Sequence, residues 1–442
     1  MLLYPFSARL FVELRVLLEI EEKTHSIEKG RIALSTPHSP LGAAFDPLHV
    51  QVETPYAFYA QVRQEEPVTF NPALRAYLVS RYDDVRSILA QPELFSSKDA
   101  LDFLPVEIYA QTIAELRKGY PFEPATIGND GARHARLREP LQKALSLTRV
   151  RAMESFIRET ANRMIDGFLK DGKAEIISQF AYPFPLEIIL TMLGIPSQDL
   201  ELVKKRSDDI QKLFFLPLSQ EQQVECARQF VALQHYYAQL IQERRKNPRA
   251  DLISDLIRNG EAGEEPFTDS TLVNQMTGIV IAGHETTTHL IGSGLVLLLE
   301  DPARWQALRE HPEQIPQAIE EILRLRGPVQ GFIRTTTQEV TVGGKTMPPG
   351  TRLFVLHASG NRDESRFPQA DRFEIDRRPN HLAFGHGVHF CVGASLARLE
   401  GCIAFEALTQ RMPRMRLVPD QQFTYTFNLT TYGYERIYAQ WK

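Results

Sequence analysis

Cysteine is scarce in this chain: Cys226, Cys391 and Cys402 are the only three among 442 residues. Three thiols at irregular spacing build neither a disulfide framework nor a four-cysteine zinc site, and a reducing compartment such as the cytoplasm fits them. An excess of charge of one sign is also missing. Fifty basic residues face 55 acidic ones, a formal net charge of −5. No nucleic-acid partner is therefore expected, because binding phosphates calls for a basic surface, although a local basic face for a protein partner stays open. The chain has no internal repeat, low-complexity tract or long Gly/Ser linker. Its opening stretch MLLYPFSARLFVELRVLLEIEE is apolar, yet Arg9, Glu13, Arg15 and Glu19 interrupt it too often for a transmembrane span. It also lacks the basic leader and small-residue cleavage site of a signal peptide.

What is present is an ordinary globular balance, 43% hydrophobic and 24% charged, with ample material for a core. In residues 1–44, Leu10, Leu14, Leu17 and Leu18 share one helical face. They predict an amphipathic helix that packs on its own domain or on a second subunit, or makes a peripheral membrane contact. A connector then runs to Ala44. Residues 45–442 read as one large domain, mainly α with small β-sheets (α+β). ARHARLREPLQKAL, VRAMESFIRETANRMIDGFL and VECARQFVALQHYYAQLIQERR carry helical spacing. RAYLVSRYDDVRSIL reads as a strand turning into a helix, and EVTVGGKTMPPGTRLFVLHA as two strands around Gly-Gly and Pro-Pro-Gly turns.

The longest helical pattern starts near Thr268 or Asp269 and stops at Asp301-Pro302. About thirty residues make a helix of roughly 45 Å. It is apolar nearly all round and should be buried. Its middle, IAGHETTTH, breaks that pattern with Gly283, Glu285 and three threonines. Glycine and threonine are weak helix formers, and a buried carboxyl needs a partner or a proton. Such inconsistency within a strong element is where function is expected. The stretch superficially matches the zinc-protease pattern H-E-x-x-H. Here, however, His289 follows His284 by five residues, roughly 140° around the helix, so both cannot chelate one ion on an unbroken helix. His284 is expected to pack or cap the irregularity.

Farther on, HLAFGHGVHFCVGASLARLEG places Cys391 in a loop punctuated by Gly385, Gly387 and Gly393, just ahead of a helical pattern. Glycines allow tight turns and close approach to a flat ligand. The helix N-terminus favours thiolate, a good single metal ligand. A site built from His386, His389 and Cys391 is the alternative, but no fourth ligand stands nearby. Cys226 and Cys402 lie in helical patterns and read as packing residues.

Three stretches together resemble the cytochrome P450 family. Phe384-Gly-His-Gly-Val-His-Phe-Cys391-Val-Gly393 is similar to its haem-binding loop, F-x-x-G-x-H-x-C-x-G. Ala282-Gly-His-Glu285-Thr286-Thr287 resembles its oxygen-groove motif, A-G-x-[DE]-T-T. Glu321-Ile-Leu-Arg324 matches E-x-x-R in the family's order, and Arg372 in ADRF resembles the arginine that completes this pair. The likeness runs from about Phe45 to the C-terminus and is greatest to soluble bacterial members.

The resemblance implies the cytochrome P450 fold and haem b (iron protoporphyrin IX) with Cys391 as its axial iron ligand. It implies His134, Arg138, Arg334 and His389 as propionate contacts, with Glu321, Arg324 and Arg372 as structural residues behind the loop. Glu285 and Thr286 become the acid–alcohol pair that delivers protons during oxygen activation. The implied reaction inserts one atom of O₂ into a lipophilic small molecule. With no flavin or ferredoxin pattern in the chain, electrons are expected from a separate ferredoxin or flavodoxin and its NAD(P)H-dependent reductase. Candidate substrate contacts are Phe103, Leu104, Phe214, Phe215, Val329, Phe332 and Thr431. The alternatives are a redox-partner-independent peroxygenase or isomerase, and a non-catalytic haem sensor or carrier.

Overall fold

The computed structural model describes residues 40–46, 55–102, 108–216, 218–262, 266–426 and 429–442. The expected N-terminal amphipathic helix lies outside these residues, as do Phe103 and Leu104. Pro40–Ala43, at the end of the expected connector, forms one helical turn.

Seven helices position the site: α1 (Gly131–Ala144), α2 (Pro183–Leu193), α3 (Leu200–Phe215), α4 (Gln220–Lys246), α5 (Asp269–Leu299), α6 (Ile315–Arg326) and α7 (Ala394–Arg411). The longest, α5, has the expected boundaries. Thr268 caps it by accepting the Thr271 N–H at 3.1 Å, and Pro302 opens the next helix. Helices α2, α4, α6 and α7 all pack on α5, and one apolar core is continuous among them. None of the described helices is long and apolar enough to cross a membrane.

The strands are few and short. The larger sheet has the order Val68–Asn71, Ala76–Val79, Arg352–Val355, Phe332–Thr336, Phe95–Ser96, antiparallel except where Ala76–Val79 meets Arg352–Val355. Sequence EVTVGGKTMPPGTRLFVLHA contains three strands where two were expected. Gly343 (φ +55°) and Gly344 (φ +80°) close a two-residue hairpin, so each flank becomes a strand, and Pro-Pro-Gly separates the third. VRAMESFIRETANRMIDGFL also differs: it breaks at Met153 into two helices.

Behind the cysteine loop, Glu321 and Arg324 form an ion pair with no solvent exposure on either side chain. The guanidinium grips the carboxylate at two points, each 2.8 Å. Its remaining N–H groups donate to the carbonyls of Asn361, Ala370 and Arg372 at 2.7–3.0 Å. All five donors are used. Arg372 does not complete the pair with its side chain, which is exposed. Its carbonyl accepts from Arg324 Nη2 at 3.0 Å. Arg377 takes the expected place, with Nε 3.0 Å from Glu321 Oε1.

Removing one partner of a buried pair strands the other charge. Arg324→Met should lose about 3–5 kcal/mol, Arg377→Ala about 1.5–3 kcal/mol, and Arg372→Ala no more than about 0.5 kcal/mol. Chemical-denaturation midpoints of the three variants would rank them.

Candidate active site

The loop around Cys391 is held by its own backbone. The Cys391 N–H donates to Phe384 O at 2.9 Å, and Phe390 N–H to Gly387 O at 3.1 Å. Gly387 sits at φ +69°, and a Cβ there would stand 2.5 Å from Leu89 O, so only glycine fits against the Tyr82–Ala90 helix. Arg398 of α7 stacks on Phe384, 4.5 Å from its ring centre. The same arginine grips Glu320 of α6 at 2.6 and 2.9 Å, and His381 Nε2 lies 3.2 Å from that carboxylate.

Cys391 is solvent-accessible yet enveloped by protein, as a side chain on the wall of an internal cleft would be. Burial pushes its thiol up, and the N–H groups of Gly393 and Ala394, with the charges of Arg138 and Arg398, only partly offset this. The helix-start N–H groups thus act in the expected direction, toward thiolate, and burial opposes them. In the protein by itself burial wins, and a bound cation is what would deprotonate this sulfur.

The four expected propionate contacts are brought together beside it. The rings of His134 and His389 stand 4.0 Å apart, and His389 Nε2 meets Ser97 Oγ at 3.0 Å. Arg138 of α1 donates to Phe390 O. Arg334 is buried, and the hydrogen bond found for it among the described residues goes to the adjacent Ile333 carbonyl. Burial lowers it to about 10, with Asp130 opposing. His389 is held down to about 3 by burial, then by Arg334, His134 and Arg138. His134 is lowered by burial, then by Arg138 and Arg334, with Asp130 opposing. Both imidazoles are thus neutral hydrogen-bonding groups, and the positive charge rests on the two arginines.

Sequence reasoning missed two neighbours. His357 is buried with both ring nitrogens lacking a hydrogen-bond partner among the described residues, and burial and Arg334 push it down to about 3. Asp130 anchors Ser97 N–H at 2.8 Å and offsets part of the arginine charge. Neither stands in a motif. Orphaned donors of this kind are unfavourable in a protein alone. A flat cofactor that presents carboxylates beside an iron-binding thiolate fits this donor set.

On α5, Ala282 is exposed, with Ile281, Glu285 and Thr286 half-buried, while the turns on either side are buried. The acid and alcohol do not bond to each other. Thr286 Oγ1 donates to Ala282 O at 3.0 Å, whereas Glu285 Oε1 accepts from Thr431 Oγ1 at 3.3 Å. The helix is unbroken, so His284 packs on the Tyr182 ring at 5.1 Å and His289 lies against Gly433. Thr431 bridges to Val329, and Phe332 meets the His357 ring at 5.8 Å. Val329 and Thr431 thus adjoin the Glu285 turn, while His357, packed on Phe332, stands beside Gly385 of the cysteine loop. Phe214 and Phe215 fall in the last turn of α3, and their side chains lie outside the described residues.

The family model for cytochrome P450 matches residues 112–422. Cytochrome P450 107B1 of Saccharopolyspora erythraea is 34% identical, covering 86% of this chain and 93% of its own. Mycinamicin IV hydroxylase/epoxidase of Micromonospora griseorubida is 33% identical over 85% and 92% of the two chains. The solved cytochrome P450 CREJ, in complex with (4-ethylphenyl) dihydrogen phosphate, superposes with a TM-score of 0.85 at 29% identity, covering 91% of this chain and 100% of that one. The fold and the site define a bacterial-type haem-iron enzyme. The chain belongs to the cytochrome P450 family and is a monooxygenase.

Glu320 offers a pH test of the loop's support. Burial pushes its carboxyl up, but Arg398 and His381 outweigh that and hold it near about 2. A depressed carboxyl stabilises the fold above its ordinary value, here 4.5, and loses that contribution as pH falls toward about 2. Glu320→Gln should therefore cost about 2 kcal/mol at neutral pH. The gap from wild type, followed by denaturation at stepped pH, should close below about 4.5.

Proposed function

We propose that this monooxygenase binds haem b with Cys391 as the iron ligand and oxidises a lipophilic small molecule. The reading rests above all on buried, under-partnered donors gathered beside one accessible cysteine. When bound, the haem supplies the iron at which dioxygen is split, one atom going to substrate and the other to water, and thiolate donation favours that cleavage. Arg138 and Arg334 would pair with the propionate charges while His134 and His389 donate neutral hydrogen bonds. Val329, Phe332 and Thr431, on the wall between α5 and the loop, are the proposed substrate contacts, with Phe103, Leu104, Phe214 and Phe215 completing the apolar set. The names of hydroxylating relatives support a small-molecule substrate. Electrons would come from a ferredoxin or flavodoxin with its NAD(P)H-dependent reductase, in a reducing cytoplasm that suits three free cysteines.

In this reading the Glu285 carboxyl takes protons from water, and the Thr286 hydroxyl hands them into the cleft. The bond found for Thr286 among the described residues goes to a backbone carbonyl of its own helix, a bond that a hydroxyl exchanges by rotating about χ1. The partners found for Glu285 and Thr286 among the described residues are Thr431, His289 and Ala282, none of them in the cysteine loop or an arginine, so their loss should spare cofactor loading.

Two outcomes are expected. Reduced protein exposed to carbon monoxide should show the difference band that gives the family its name. Cys391→Ser should abolish it, whereas Cys226→Ser and Cys402→Ser keep it; retention in Cys391→Ser would refute the ligand assignment. Thr286→Ala and Glu285→Gln should load haem normally yet yield less product per NAD(P)H, with peroxide appearing instead. Product formation should fall by about 10²–10⁴-fold where water does not substitute. Simultaneous assay of NAD(P)H, product and peroxide tests this, and unchanged coupling in both variants would remove the pair from the mechanism.

A further inference from the structure

Within α5, one turn beyond Glu285, His289 is buried where the helix passes from its polar centre into the aliphatic run that begins at Leu290. Its Nε2 stands 3.5 Å from Glu285 Oε1, within ion-pair distance. Neither ring nitrogen has a hydrogen-bond partner among the described residues. The opposite wall is cut to receive the ring: a Cβ at Gly433 would lie 1.8 Å from Nδ1 and 2.3 Å from Cγ. No other residue fits there without displacing the imidazole.

That wall is firmly held. Gln330 N–H donates to Thr430 O at 2.8 Å, Tyr432 N–H to Pro328 O at 2.7 Å, and Thr426 N–H to Gly433 O at 3.0 Å. Thr431, between these anchors, hydrogen-bonds the same carboxylate oxygen that His289 faces. From the other side, Tyr182 and His284 approach, with Asp208 of α3 behind them accepting from the Tyr182 hydroxyl. Burial alone would push the Glu285 carboxyl up. His289, followed by the charge of His284 and the Thr431 hydroxyl, more than reverses this, and the net direction is down.

We propose that His289 is a positioning residue that, with Thr431 and the Gly433 notch, clamps Glu285 as a carboxylate on the Thr431 side of the helix. The clamp governs when this carboxyl is free to carry a proton. Glu285 on its own would be a buried acid held neutral by desolvation. With the imidazole fixed one turn away it is an anion whose release depends on the ring. The proposal rests on the reading of Glu285 as the proton-delivering acid, and two measurements separate them.

The first is infrared pH titration of the haem-loaded protein, with Glu285→Gln identifying the Glu285 carboxyl stretch. In wild type the band should stay absent at neutral pH. In His289→Leu it should appear, and it should vanish again in the His289→Leu/Glu285→Gln double variant. Gly433→Ala, which displaces the ring without deleting it, should act in the same direction and serves if His289→Leu does not fold. His289→Asn, which keeps a hydrogen-bond donor without the imidazole ring, should fall between. The second is the pH profile of product per NAD(P)H. Its inflection that Glu285→Gln abolishes should move up by about 1–3 pH units in His289→Leu, the usual effect of an opposite charge at this range. An unmoved carboxyl band in both His289→Leu and Gly433→Ala overturns the clamp. A moved band with coupling indifferent to Glu285→Gln leaves the clamp standing and overturns the catalytic reading.

Discussion

The Glu321–Arg324 pair is the interaction on which the site's geometry depends. With every guanidinium N–H committed, Arg324 fixes three carbonyls of a segment that has almost no regular structure of its own. One of them belongs to Asn361, whose side-chain Oδ1 accepts the Leu382 N–H at 2.6 Å. Restraint thus passes from α6 through Asn361 into the loop that ends at Cys391. Glu320, on the neighbouring position of α6, reaches the same loop through His381 and through Arg398 stacked on Phe384. Two consecutive carboxylates on one helix therefore hold the cysteine from behind and from the side. A thiolate ligand placed on a glycine-rich loop needs this, because glycine gives the backbone freedom that positioning must then remove.

The charges that face the cleft are arranged on the opposite principle. Arg334 is buried with one hydrogen bond found for it among the described residues, and His134 Nε2 and both ring nitrogens of His357 have none, while Arg324 is saturated. Unspent buried donors are unfavourable in the protein alone and become favourable when an anion arrives. By linkage, a ligand that binds the folded chain stabilises it. Cofactor binding should therefore add most to stability where the empty protein is least satisfied.

Much of the fold was legible because its signals are local. The Thr268 cap, the Pro302 stop and the Gly-Gly hairpin each act within a few residues, and α5 obeys its apolar period to the ends. The cysteine loop was legible as well, since tight turns and a helix start leave glycine at fixed offsets. Other features depend on which way a side chain turns. ADRFEIDRR offers several arginines to one carboxylate, and only the carbonyl directions around Arg324 decide for Arg377 over Arg372. His357, in a helical turn after the strand Arg352–Val355, and Asp130, at the start of α1, join the site through contacts far from their own sequence neighbours. The thiol shows the same divide: the helix-start effect is local and legible, while the burial that opposes it comes from the whole fold.

The irregular centre of α5 shows where the two charge principles meet. His284 and His289 cannot share a metal on an unbroken helix, but their separation around it places Glu285 between an imidazole on each side. One ring bonds the helix's own Val280 carbonyl at 2.9 Å and packs on Tyr182. The other has only the carboxylate and a glycine notch. An arginine in its place would add a permanent charge and a fork of donors. The imidazole at 3.5 Å makes a weaker, single-point contact. A carboxyl that must give and take protons within a buried helix is better served by a partner that lets go. The spacing that rules out a shared metal in His-Glu-Thr-Thr-Thr-His is thus the spacing that puts a second imidazole one turn from the acid.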